Sequence, residues 1–145
     1  MSKQTEYTVL TKFRNKEKAL FLIRELEKRG KTCYNFFNLP KNANFFEKNS
    51  PEEYMRKMEN TSEFWKNSYF ASVFKKDLQG LKNAEKVIVL LPAGNSVHIE
   101  AGIAYGFGKK LILVGEISKP ETLYLIFDEH FKTITDFLKS LDRNN

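Results

Sequence analysis

A chain of 145 residues, 41% hydrophobic and 29% charged, is long enough to build one domain around its own core and has the composition of a globular protein. Its net charge of +6 comes from 24 Lys and Arg against 18 Asp and Glu, but the basic residues fall only in scattered doublets such as Lys75-Lys76 and Lys109-Lys110, which argues against a nucleic-acid partner. The single Cys33 excludes an internal disulfide, and the longest apolar run, VIVLLPA, is too short to span a bilayer. With no leader-like start in MSKQTEYTVL, the expected location is the cytoplasm, away from membranes.

The first predicted element is a strand over 6–13, rich in β-branched and aromatic residues. Asn15 is then placed as an N-cap for KEKALFLIRELEKRG, whose Ala19, Leu20, Leu22, Ile23 and Leu26 recur at helical spacing before Gly30 stops the helix. A second strand, Lys31 to Phe37, completes a β-α-β unit, and such units imply parallel strands joined by a right-handed crossover. Cys33 lies in that strand and reads as a packed small residue.

Residues 38–50 are Asn-rich and irregular, and the pair Phe45-Phe46 is either a lid over a ligand or an anchor for the loop. Ser50-Pro51-Glu52-Glu53 is a helix start, with helical spacing running to about Leu81 and a break near Asn60-Thr61-Ser62. Its apolar face includes Met55, Met58, Phe64, Trp65, Tyr69, Val73 and Phe74, which suits a core or a subunit interface.

EKVIVLLPAG and KKLILVGE are strands buried on both faces, separated by a short helix, NSVHIEAGIAYGFG, with small residues for close packing. TLYLIF is a candidate fifth strand, and EHFKTITDFLKSLDRNN a closing amphipathic helix. The sum is one α/β domain over 1–145: a doubly wound, flavodoxin-like parallel sheet of about five strands in the order 2-1-3-4-5, with helices on both faces.

Ligands of such sheets bind beyond the carboxyl ends of the strands where the strand order reverses, here between strands one and three. The site therefore belongs to Thr11–Asn15 and Pro92–Glu100. Gly94, Asn95 and Ser96 form a small-residue loop opening a helix, where unpaired amides welcome an anion or a sugar hydroxyl; Ser96 also reads as the N-cap. Neither GxxxxGK[ST] nor GxGxxG is present. Glu100, placed in the first helical turn, either complements the helix dipole or faces a cleft as nucleophile or base. His98 reads as a ligand contact or as a surface residue, and Asp77 as a solvated helix residue or a group that orients a sugar hydroxyl. No cluster has metal-ligand spacing, and no cofactor is called for.

The stretch KKDLQGLKNAEKVIVLLPAGNSVHIEAGIAYGFGKKLILVG resembles the central motif of the nucleoside 2-deoxyribosyltransferase-like proteins, over roughly residues 75–115. Ser96, Glu100, Gly102, Ala104, Gly108 and Lys109 fall in register with it. The resemblance implies an enzyme acting at an N-glycosidic bond of a small-molecule nucleoside or nucleotide, as hydrolase or transferase, and working as a homo-oligomer, for which the aromatic region 54–74 offers an interface. Glu100 would attack the anomeric carbon, Asp77 would position the sugar or protonate the leaving base, and Ser96 with nearby amides would hold the 5′ end. The family's Tyr-x-Ala-x-Pro loop is replaced here by TVLTKFRNK, which puts Phe13 and Arg14 at the switch point, Arg14 as a phosphate ligand. Two other readings remain: a nucleotide-binding sensor of the same fold without catalysis, and a TIR-like NAD hydrolase.

Overall fold

The computed structural model describes residues 4–38 and 50–144. Five strands among them form one parallel sheet: β1 (Thr5–Leu10), β2 (Cys33–Tyr34), β3 (Ala84–Leu90), β4 (Lys110–Val114) and β5 (Glu129–Phe131), in spatial order 2-1-3-4-5. Val87 to Leu90 and Leu111 to Val114 are all buried, as the continuous apolar runs require of central parallel strands.

Each face of the sheet is covered. Helix α1 (Lys16–Lys28) buries Ala19, Leu22, Ile23 and Leu26, and α5 (Ile134–Arg143) buries Phe137 and Leu138 beside them. The opposite face is covered by Leu81 of α3 (Ser68–Asn83) and by Val97, Ala101 and Ala104 of α4 (Asn95–Gly106). Small side chains on α4 let it lie close to β3 and β4, the strands it connects. Ahead of α3, helix α2 (Pro51–Glu59) begins with the capping expected of Ser50, whose side chain accepts from the Glu53 amide. The break expected near residue 60 is present, and α3 runs two residues beyond Leu81. Tyr54 of α2 and Tyr69 of α3 are buried and hydrogen-bonded to each other at 3.0 Å.

Several boundaries differ from those expected. β1 ends at Leu10, where the chain bends into a 3₁₀ turn over Phe13–Asn15 before α1, and β2 keeps only two residues. Asn15 precedes α1, but its side chain donates to Thr11 Oγ1 at 3.0 Å and caps nothing. TLYLI, expected as the fifth strand, is a 3₁₀ turn over Thr122–Ile126; the edge strand is Glu129–Phe131, and the closing helix starts only at Ile134. The cause is local: Thr133 accepts from the Asp136 amide and fixes the helix start there, which leaves EHF extended against β4. The Phe45-Phe46 pair lies outside the described residues.

Candidate active site

Thr11 joins the two loops of the switch point. Its hydroxyl, buried, donates to the Leu90 carbonyl at 2.8 Å and approaches that of Pro92 at 3.3 Å, while accepting from Asn15. Above this junction opens a cleft of about 620 Å³, lined from one side by Thr11, Lys12, Phe13 and Arg14 and from the other by Gly94, Asn95, Ser96 and Glu100. Asp77 and Val73 of α3, with Tyr54, Met55 and Met58 of α2, close its far wall. A second, more apolar cavity of about 250 Å³ lies between α3 and α4. It shares Met58, Val73, Asp77, Ser96 and Glu100 with the first, so these five residues stand where the two meet.

Glu100 is in the second turn of α4, not the first, because the helix starts at Asn95 with Gly94 as its N-cap. Ser96 is therefore not the cap, and its hydroxyl is left facing the cleft. Helix-dipole stabilisation also loses its hold on Glu100, since that field fades within the first turn. What the carboxylate meets instead is burial. Its Oε2 is shielded from water and has no hydrogen-bond partner among the described residues. Desolvation pushes the acid up to about 8, and the negative charge of Asp77 adds to the rise. Asp77, for which a solvated position is one of two readings, is half-buried, and desolvation raises it to about 7 against an opposing effect of Lys76. Burial raises both acids, and the charge of Asp77 acts on Glu100 besides, so near neutrality the two retain about one proton between them.

The remaining expected residues divide. Phe13 stacks on Tyr54 with centroids 4.7 Å apart and forms part of the cleft's aromatic wall with Phe37 at 5.6 Å. Arg14 lines the cleft, yet its guanidinium is ion-paired to Glu52 at 2.6 Å and to Glu59 at 3.2 Å, which opposes its use as a free phosphate ligand. Lys12, which sequence reasoning passed over, lines the same cleft and forms no ion pair among the described residues. A single lysine after a strand carries no sequence signal; only the bend at residue 13 turns it toward the site. His98 does not line either cavity: Nδ1 lies 2.8 Å from the Gly94 carbonyl and Nε2 3.1 Å from the Tyr124 hydroxyl. It fastens the 122–126 turn to α4. Among the described residues no group of His, Cys, Asp and Glu could hold a metal, and no helix is long and apolar enough to cross a membrane.

The doubly wound parallel sheet is a fold shared with two solved enzymes. The CMP N-glycosidase of Clostridium botulinum is 20% identical, with a TM-score of 0.55 over 95% of this chain and 99% of that one. The 2-deoxyribosyltransferase of Bacillus psychrosaccharolyticus is 17% identical, with a TM-score of 0.61 over 92% of this chain and 90% of that one. Both extend the resemblance from residues 75–115 to the architecture of nearly the whole chain. No family model matches the sequence, and no curated protein matches it either.

Proposed function

We propose that the protein, as a single domain of the nucleoside 2-deoxyribosyltransferase-like kind, cleaves the N-glycosidic bond of a nucleoside or nucleotide, with Glu100 as nucleophile. The observation that carries this reading is the pairing of Glu100 and Asp77 at the meeting point of two cavities, with one carboxylate oxygen buried and unpartnered. An acid pair with one proton supplies both halves of the reaction. Glu100, the more strongly raised acid, holds that proton in the resting site. In the reactive form it has passed to Asp77, so that ionised Glu100 bonds to C1′ as the C1′–N bond breaks and the proton on Asp77 goes to the departing base. Burial keeps the attacking carboxylate poorly solvated, so its charge acts at full strength on the oxocarbenium-like carbon. Asp77, now ionised, then takes a proton from water attacking C1′, which releases the sugar and regenerates Glu100; a second base in place of water gives transfer. Ser96 and the open amides of α4 support the sugar's 5′ end, and Phe13 and Tyr54 give the substrate an aromatic wall.

The test is incubation with a panel of ribo- and deoxyribonucleosides, their 5′-monophosphates and NAD, followed by chromatography for free base. Release from a nucleoside or monophosphate supports the reading. Release from NAD alone would favour the NAD-hydrolase chemistry, and binding without any release would leave a sensor.

A further inference from the structure

The two cavities that meet at Asp77 and Glu100 differ in chemistry. The larger cleft offers a ligand Lys12, the Ser96 hydroxyl and the open amides of α4. That set suits a sugar and its 5′ end. The smaller cavity, about 250 Å³, is walled differently. Its α3 side is one stripe of that helix, Phe70, Val73, Phe74, Asp77, Leu78 and Leu81, at the spacing of a single helical face. Ile99 and Ile103 of α4 stand in the facing wall.

Among the described residues, the only charged or hydroxyl-bearing side chains lining the smaller cavity are Asp77, Ser96 and Glu100, all shared with the cleft. The main chain adds little, because both walls are helix and most of their N–H and C=O groups are bonded along it. A ring inserted here meets carbon and sulfur everywhere except at that junction. Position says which ring it is. In the proposed reaction C1′ lies at Glu100 and the departing group beside Asp77. With the sugar in the polar cleft, the base takes the apolar side of the junction. Its far edge then faces the rim, where Phe74 and Ile99 are 61% and 64% exposed. An amino or carbonyl group pressed against those side chains has no partner, and that costs binding which a carbon edge keeps.

We infer that the smaller cavity is the leaving-group subsite and that it selects by shape and apolarity rather than by hydrogen bonds to the base. The preferred substrate is then an N-glycoside of a heteroaromatic ring without exocyclic polar groups, of which benzimidazole is a simple fused example. The inference rests on the proposed function for the placing of the sugar and goes beyond it in the class of base.

Calorimetry with free benzimidazole, adenine and cytosine tests it in binding rather than in rate, since bases also differ in how readily they depart. Benzimidazole is expected to bind the wild-type chain about tenfold or more tightly than either of the others. Ile99→Asn and Phe74→Gln each place an amide on the exposed rim, where the fold does not depend on the side chain. Each is expected to reduce the preference for benzimidazole over adenine several-fold. Adenine or cytosine bound as tightly as benzimidazole, no binding of any of the three, or a preference unmoved in both variants overturns the apolar subsite. Release of base from nucleosides alongside any of those results leaves the proposed function standing without it. The expected binding pattern with no base released from any glycoside would instead contradict the proposed function and leave the selectivity of the cavity in place.

Discussion

The Thr11 hydroxyl donates to the Leu90 carbonyl at 2.8 Å, joining the carboxyl ends of β1 and β3 where the strand order reverses. Both loops that line the cleft leave from this junction, so its loss should be felt in substrate binding as well as in folding. Thr11→Val keeps the shape and leaves a buried carbonyl unpaired, and Asn15 loses its acceptor. We expect a loss of about 1–3 kcal/mol in chemical denaturation. KM should rise more than kcat falls, because the acid pair itself stays in place.

Burial raises both Glu100 and Asp77, so the folded state holds protons that the unfolded chain releases. The stability this represents is complete below about pH 4, where both states are protonated, and is lost as pH rises through about 7 and 8. Glu100→Gln removes the penalty of ionising a buried acid. Its stability relative to wild type should therefore increase between pH 5 and pH 8, by about 1–3 kcal/mol once partial solvent access is allowed for. Melting curves at the two pH values measure this directly; equal differences at both would contradict the burial of the acid.

The same pair sets the activity profile. Below about 7 the second proton arrives and the nucleophile is neutral; above about 8 the last proton leaves and the base has no acid to depart with. We expect kcat/KM for base release to be bell-shaped with its maximum between these values. In Asp77→Asn the alkaline limb should follow the leaving group instead, with a smaller loss for bases that depart easily.

Arg14 is held by Glu52 and Glu59, and releasing it should change what the cleft prefers. Glu52→Gln breaks the 2.6 Å pair on the exposed rim, where such a pair contributes little to stability. Binding of a 5′-monophosphate should tighten several-fold over the matching nucleoside, as read by calorimetry at low salt. Lys12→Ala should act in the opposite direction.

Gly80 is the helical glycine where alanine would fail. The ring of Tyr34 packs directly over it, and an added Cβ would collide with Tyr34 Cε1. Alanine in the middle of an exposed helix ordinarily stabilises by about 1 kcal/mol. Here we expect Gly80→Ala to lower the melting temperature, because the ring is held by its hydroxyl bond to the Lys76 carbonyl and cannot simply swing aside.

The sheet was legible in the sequence because strands buried on both faces leave long unbroken apolar runs, VIVLL and LILV, and because Gly30 and Ser50-Pro51 punctuate their helices. The site's place followed from strand order alone. The edge was not legible: LYLI has more β-forming residues than EHF, and only the Thr133 cap and the pairing with β4 decide between them. Glu100 and Ser96 line the cleft as their surroundings suggest, but the helix start lies two residues earlier than expected, since Gly94 rather than Ser96 caps it. His98 and Arg14 show the other limit. Their chemistry suits a ligand, and what the sequence does not show is a partner distant in it: Tyr124 for one, Glu52 and Glu59 for the other.

The role of Glu100 is tested most directly by the rate of free-base release from the best substrate of the panel, compared between wild type and Glu100→Gln at pH 7.5. The amide keeps the side chain's shape and removes its capacity to attack. We expect kcat to fall by about 10³-fold or more, with the variant as stable as wild type or more so. A Glu100→Gln enzyme within about tenfold of wild type would show that another group attacks C1′ and that Glu100 is only a buried acid in its wall.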